Sequence, residues 1–111
     1  MNAMTPGWLD VGALTDIPPR GGRVVRTPRG CVAVFRAFDD TVFALDDRCP
    51  HKGGPLSDGI VHGHAVTCPL HGLVVSLATG VAATPEEGSV RTHGIRVEAG
   101  RILLDPAALR P

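Results

Sequence analysis

A chain of 111 residues, 43% of them hydrophobic, has the length of one domain and enough apolar side chains to build a core. Eleven basic and eleven acidic side chains cancel, with no basic stripe or like-charge run, so neither a nucleic-acid surface nor a solvated tail is indicated. The longest apolar runs are about five residues, far short of the roughly 20 that span a bilayer.

The chain starts Met1-Asn2-Ala3-Met4-Thr5-Pro6, which has neither the basic region nor the apolar core of a signal peptide. Together with an odd third cysteine, this predicts a reducing, cytoplasmic setting with no membrane anchor. No internal repeat or low-complexity segment is expected, and no long amphipathic helix. What recurs is a short β-branched run closed by a turn signal about every ten residues, which predicts an all-β fold. Trp8–Val11 reads as a first strand, with Trp8 a core or sheet-capping aromatic, and Asp16-Ile17-Pro18-Pro19 breaks it. Gly22–Thr27 follows, then the turn Pro28-Arg29-Gly30. Cys31–Phe38 is the strongest strand, with Cys31 expected as a small core residue. Asp39-Asp40 is expected as a two-residue hairpin turn returning through Thr41–Leu45, and Asp46-Asp47 as caps of the loop that follows. Leu56–Gly59, His62-Gly63-His64 and Ala78-Thr79-Gly80 read as turns around short strands at Ile60-Val61, Ala65–Thr67 and Leu73–Leu77. Pro85-Glu86-Glu87-Gly88 reads as a loop. Val90–Thr92, Ile95–Val97 and Ile102–Leu104 are the last strands, the final two joined at Ala99-Gly100. The tail from Pro106 to Pro111 is too short for a stable helix. The order is base strands, an inserted segment of about residues 46–76, and base strands again, as in a β-sandwich or barrel.

The inserted segment carries the chemistry. Cys49-Pro50-His51 is answered, after sixteen intervening residues, by Cys68-Pro69-Leu70-His71. Two thiols and two imidazoles at C-x-H and C-x-x-H spacing are a metal-ligand pattern. A structural zinc site with two cysteines and two histidines usually keeps the two kinds of pair apart along the chain, whereas here each loop supplies one of each. That mixture suits a two-iron, two-sulfide cluster with both cysteines on one iron and both histidines on the other. Gly53, Gly54 and Gly72, with Pro50, Pro55 and Pro69, have the composition of tight loops that aim N–H groups at anionic sulfur. His62, His64 and His93 are expected at the surface. Lys52 is a partner contact or a solvated charge. No nucleophile–base pair, acid/base carboxylate pair or dinucleotide fingerprint is visible, so no catalytic residue is assigned. The centre would move electrons rather than transform a substrate.

The double box Cys49-Pro50-His51 and Cys68-Pro69-Leu70-His71-Gly72 resembles that of Rieske 2Fe–2S proteins, over about Trp8 to Leu104. The resemblance implies an antiparallel β-sandwich or barrel with an inserted cluster-binding subdomain. It also implies Cys49 and Cys68 as thiolate ligands of the inner iron and His51 and His71 as ligands of the outer one. Pro85–Gly88 resembles the third, proline-containing loop that shields the cluster. Within the family, His51-Lys52-Gly53-Gly54-Pro55-Leu56-Ser57-Asp58-Gly59-Ile60-Val61, Thr79-Gly80 and Pro85–Thr92 are similar to small subunits of assimilatory NAD(P)H nitrite reductases. That similarity implies docking onto a large flavin- and sirohaem-containing subunit. The family often has an aromatic soon after the second box, where Leu73, Val74 and Val75 stand here. Two other readings stand beside this one: a free-standing ferredoxin feeding a ring-hydroxylating oxygenase, and a structural zinc module for protein contacts. Iron and acid-labile sulfide analysis separates the last from the others.

Rieske proteins of respiratory complexes carry an extra cysteine in each ligand loop. Gly54 and Leu70 hold the matching positions, so the resemblance implies loops without a bridging disulfide. High-potential relatives place a hydroxyl donor where this chain has Leu73 and Val75, and it contains no Tyr at all. Fewer donors to the cluster sulfurs lower the potential. Protein-film voltammetry is expected to give a midpoint of about −150 to −50 mV, with weak pH dependence near neutrality. A value above about +100 mV, in the upper part of the Rieske range, would reveal donors among other residues.

Overall fold

The computed structural model describes residues 7–50, 53–70 and 72–109, with the backbone alone at Pro85 and Leu109. The expectations for Met1–Pro6, His51, Lys52, His71 and the last two residues lie outside that range. Among the described residues, ten strands form three antiparallel sheets. One contains β1 (Leu9–Ala13), β9 (Ile95–Glu98) and β10 (Arg101–Leu104), in the order β1-β10-β9. A second contains β2 (Gly21–Thr27), β3 (Gly30–Arg36), β4 (Val42–Asp46) and β8 (Thr92–His93), in chain order. The third is the meander β5 (Ile60–His62), β6 (Ala65–Thr67) and β7 (Val74–Ser76). The fold is all-β, as expected, and the meander is inserted between β4 and β8 of the second sheet.

The second sheet is the middle layer because β3 and β4 are apolar on both faces. Val32, Val34 and Ala44 join Ile17, Ile102, Leu104 and Ala108 in one buried cluster, on the side of β1 and β10. Ala33, Phe35 and Leu45 face the other way and pack with Leu56, Val61, Val66, Val75 and Leu77 of the inserted segment. Successive strand residues point to opposite faces, so a run such as Val32-Ala33-Val34-Phe35 serves two half-cores at once. Each of these four residues is 2% exposed or less.

The rims differ from expectation in three places. The β3–β4 turn uses three residues, Phe38-Asp39-Asp40, inside an Ala37 N–H to Thr41 O bond of 2.8 Å. The Asp40 N–H donates to Ala37 O, and Asp40 then takes φ +67°, a left-handed conformation that Asp tolerates better than most residues. Arg36 braces this turn, pairing with Asp40 at 2.8 Å and donating to Ile17 O at 2.7 Å. Cys31 is exposed instead of buried. It shares the parity of Ala33 and Phe35 but stands at the end of β3, where it lines an open cleft with Arg29 and Arg48. His93 is the reverse case: its side chain is only 2% exposed and donates to Asp46 Oδ1 at 2.8 Å. The register of β8 against β4 places His93 opposite Ala44 and beside Asp46.

At the other end, β1 is irregular between Asp10 and Gly12, and Asp10 makes a two-pronged pair with Arg101 of β10 at 2.9 and 3.0 Å. The Arg101 hydrogen bonds and the Gly12 N–H hold the Asp10 carboxyl below the usual carboxylate range. Its contribution is therefore present above that range and lost as acid protonates the group. Trp8 is half-buried with the Arg96 guanidinium 5.5 Å from its ring centroid.

Because Phe35 is fully buried between β3 and the inserted segment, Phe35→Ala is expected to cost about 3–5 kcal/mol in chemical denaturation. Val24→Ala, at a position 41% exposed on β2, is expected to change stability by less than about 0.5 kcal/mol.

Candidate metal centre

Cys49 and Cys68 are 2% and 1% exposed, and both belong to the apolar cluster between β3 and the meander. Each opens a loop, and the two loops are closed by matching backbone bonds. In the first, the Cys49 N–H donates to Gly54 O at 2.7 Å and the Gly53 N–H donates back to Cys49 O at 2.8 Å. In the second, the Cys68 N–H donates to Leu73 O at 2.8 Å and the Gly72 N–H to Cys68 O at 3.0 Å. Gly53 and Gly72 close the two rings at φ +73° and +72°, a region that side chains with a Cβ avoid. The signal was visible in the chain as Cys-Pro-x-x-Gly at 49–53 and again at 68–72. It is a short internal repeat where none was expected.

The loops touch at Gly54 and Leu70. A Cβ on Gly54 would lie 2.5 Å from Leu70 Cδ1 and 3.7 Å from Cys68 Sγ. Leu70, 53% exposed, thus lies over the buried Gly54 and covers the seam between the loops on the sulfur side. These are the positions matched above to bridging cysteines, and here the contact between them is apolar packing. Val75 is fully buried and Leu73 packs against the same cluster, so neither offers a polar group to the sulfurs. The third loop closes the front: a short 3-10 turn spans Pro85–Glu87, and Gly88 approaches Pro50, whose Cβ is 3.5 Å from a Cβ built on Gly88.

Charged side chains frame the first loop without entering it. Asp46 ends β4 and accepts from His93 of β8, while Asp47, the next residue, accepts from Ser57; of the two, Asp47 caps the loop as expected. His62 and His64 are exposed, as expected. His62 pairs with Thr67 Oγ1 at 2.7 Å. His64 donates to Asp39 at 3.0 Å and sits beside the rings of Phe38 and Phe43. The Asp39 carboxyl is held below its usual range first by Thr41, then by His64. Sequence reasoning missed Ser57 and His93, since no spacing rule links Asp47 to Ser57 or Asp46 to His93.

Two buried sulfurs at equivalent points of twin loops, with an apolar wall behind them, suit a soft-ligand metal cluster. Thiolates buried in such a wall need a cation to offset their desolvation.

Comparison with known proteins agrees. The model of the Rieske-like [2Fe-2S] domain matches residues 7–105. The ferredoxin component of the naphthalene 1,2-dioxygenase/salicylate 5-hydroxylase systems of Ralstonia sp is 30% identical over 102 residues, covering 91% of this chain and 97% of that one. The ferredoxin of carbazole 1,9a-dioxygenase from Nocardioides aromaticivorans IC177 superposes with TM-score 0.80 at 27% identity, over 89% of this chain and 97% of that chain. A Mycobacterium tuberculosis protein described as an NADH-dependent nitrite reductase small subunit superposes with TM-score 0.79 at 29% identity, over 87% and 92%. The chain belongs to the Rieske-like [2Fe-2S] domain family, and is an iron–sulfur electron-transfer protein that binds a Rieske-type 2Fe–2S cluster.

Proposed function

We propose that residues 1–111 form a single Rieske domain whose segment of about 46–76 holds the cluster through Cys49, Cys68, His51 and His71. The two cysteines would bind one iron and the two histidines the other. Burial of both cysteines at the matched positions of twin loops supports this set. When bound, the cluster supplies one-electron exchange at a potential above that of an all-cysteine centre. The chain's own residues set its surroundings: Leu70, Leu73 and Val75 keep water from the cysteine side, and Gly88 against Pro50 narrows access to the first loop. Replacing any one of the four ligands by Ala is expected to abolish iron and sulfide binding, whereas Cys31→Ala keeps two of each. If Cys31→Ala lost the cluster as fully as Cys49→Ala, the ligand set would be wrong.

For the partner, we infer an assimilatory NAD(P)H-dependent nitrite reductase in the cytoplasm, with this chain as its small subunit. The observation that carries this reading is the Pro85–Gly88 loop, seated against Pro50 of the first ligand box. Its Pro-Glu-Glu-Gly sequence and the Gly53-Gly54-Pro55 run are the residues that resemble such subunits, and a solved structure of that description superposes well. No described helix is long and apolar enough to cross a membrane, which is compatible with that setting. A second reading, a ferredoxin shuttling between a reductase and a ring-hydroxylating oxygenase, is favoured by the dioxygenase ferredoxins among the relatives. Reconstitution separates them. Adding the holoprotein to the flavin- and sirohaem-containing subunit from the same organism is expected to restore NAD(P)H-dependent nitrite consumption. Restoration of arene hydroxylation by a reductase and oxygenase pair, with none of nitrite consumption, would establish the second reading instead.

A further inference from the structure

The twin loops stand on unequal foundations. The second loop, from Cys68 to Leu73, is clasped at its base by the ladder of β6 and β7, where Thr67 pairs with Val74. The first loop has no such ladder. Its leading arm leaves β4 at Asp46, and its trailing arm runs into the short 3-10 turn Leu56–Asp58. We propose that the Asp47–Ser57 pair is a positioning clamp that does for the first ligand loop what the β6–β7 ladder does for the second.

The geometry is specific. The Ser57 N–H donates to Asp47 Oδ1 at 2.7 Å and the Ser57 hydroxyl donates to Oδ2 at 2.7 Å, so both carboxylate oxygens are used across a span of nine residues. These are short, charge-assisted and partly buried bonds, about twice as strong as neutral ones. The clamp is itself anchored to the middle sheet. The Asp47 N–H donates to Cys31 O of β3 at 3.0 Å, and the neighbouring Asp46 N–H donates to Arg91 O at 2.9 Å. Asp46 also accepts a hydrogen bond from His93, whose side chain is covered. On the trailing side, Leu56 is fully buried in the same apolar cluster as Cys49. Cys49 thus lies two residues beyond a carboxylate bound on both sides, and its loop is closed as a ring that begins and ends on fixed points. Groups that hydrogen-bond metal ligands typically contribute ten- to a hundred-fold in metal affinity, and the clamp acts one step further out, on the segment that carries Cys49.

The clamp rests on Cys49 being a ligand and not on which partner receives the electron. The test uses holoprotein of wild type, Asp47→Ala, Ser57→Ala and Ser57→Thr, with Cys49→Ala, as purified, as the reference for a lost ligand. Cluster loss to a chelator is followed by visible absorbance, the line shape of the reduced cluster by electron paramagnetic resonance, and loop amides by hydrogen exchange. Ser57→Ala and Asp47→Ala are expected to lose the cluster about tenfold faster or more. Their resonance should broaden, and the Cys49 and Gly53 amides should exchange faster while those of Cys68 and Gly72 keep wild-type rates. Ser57→Thr, which keeps the hydroxyl, should behave as wild type. Ser57→Ala spares the backbone bond, so it remains informative if Asp47→Ala does not fold. Wild-type cluster retention and line shape in Ser57→Ala would overturn the clamp, as would equal acceleration of exchange in both loops. A cluster retained in Cys49→Ala would instead overturn the ligand assignment.

Discussion

Two cysteine side chains buried in an apolar cluster constrain everything else in this protein. As thiols, Cys49 and Cys68 are small hydrophobic residues that fit beside Leu56, Val66 and Val75. As thiolates they would be costly there unless a cation sits against them. The same wall therefore stabilises the fold and demands the metal. Ala33, Phe35 and Leu45 of β3 and β4 form its floor, so the inserted segment rests on fully covered residues of the middle sheet.

Above the floor, the loops after Cys49 and Cys68 are each closed by a left-handed glycine and the same two backbone bonds. What differs is how the rings are held. A β-ladder is made from backbone groups and tolerates many side chains, whereas a carboxylate–serine contact depends on two particular residues. Packing completes the enclosure, with Leu70 over Gly54 between the loops and the Pro85–Gly88 loop against Pro50. Leu73 and Val75 leave the second loop without hydroxyl donors, which favours a low potential within the family.

Histidines outside the ligand pairs serve as structural ties. His93 reaches from β8 to Asp46 at the end of β4, where the chain turns into the first loop. His64 links the meander to the β3–β4 turn through Asp39 and lies against Phe38 and Phe43. In the first bond the His93 side chain is covered while Asp46 stays partly open to solvent. The second is exposed, where an ion pair contributes little beyond fixing relative position.

The all-β architecture, the inserted segment and the family were all legible from local patterns. Val32-Ala33-Val34-Phe35 announces a strand, the regular turn signals announce a sheet protein, and Cys-Pro-His with Cys-Pro-Leu-His announces its chemistry. These features depend on neighbours along the chain, which a sequence displays directly. Alternation in β3 did not reveal that Cys31 would be exposed, because whether a face is covered at the end of a strand depends on another segment reaching it. His93 looked like a surface residue between Thr92 and Gly94 until the β4–β8 register set it beside Asp46. Asp47 and Ser57 are ordinary turn-forming residues ten positions apart, and only the path of the loop between them brings carboxylate and hydroxyl into contact. Spacing determined which residues could bind iron, while the register of strands and the closure of loops decided what holds those residues in place. Contacts across a fold follow from where the backbone leads, and that is settled by packing of the whole chain.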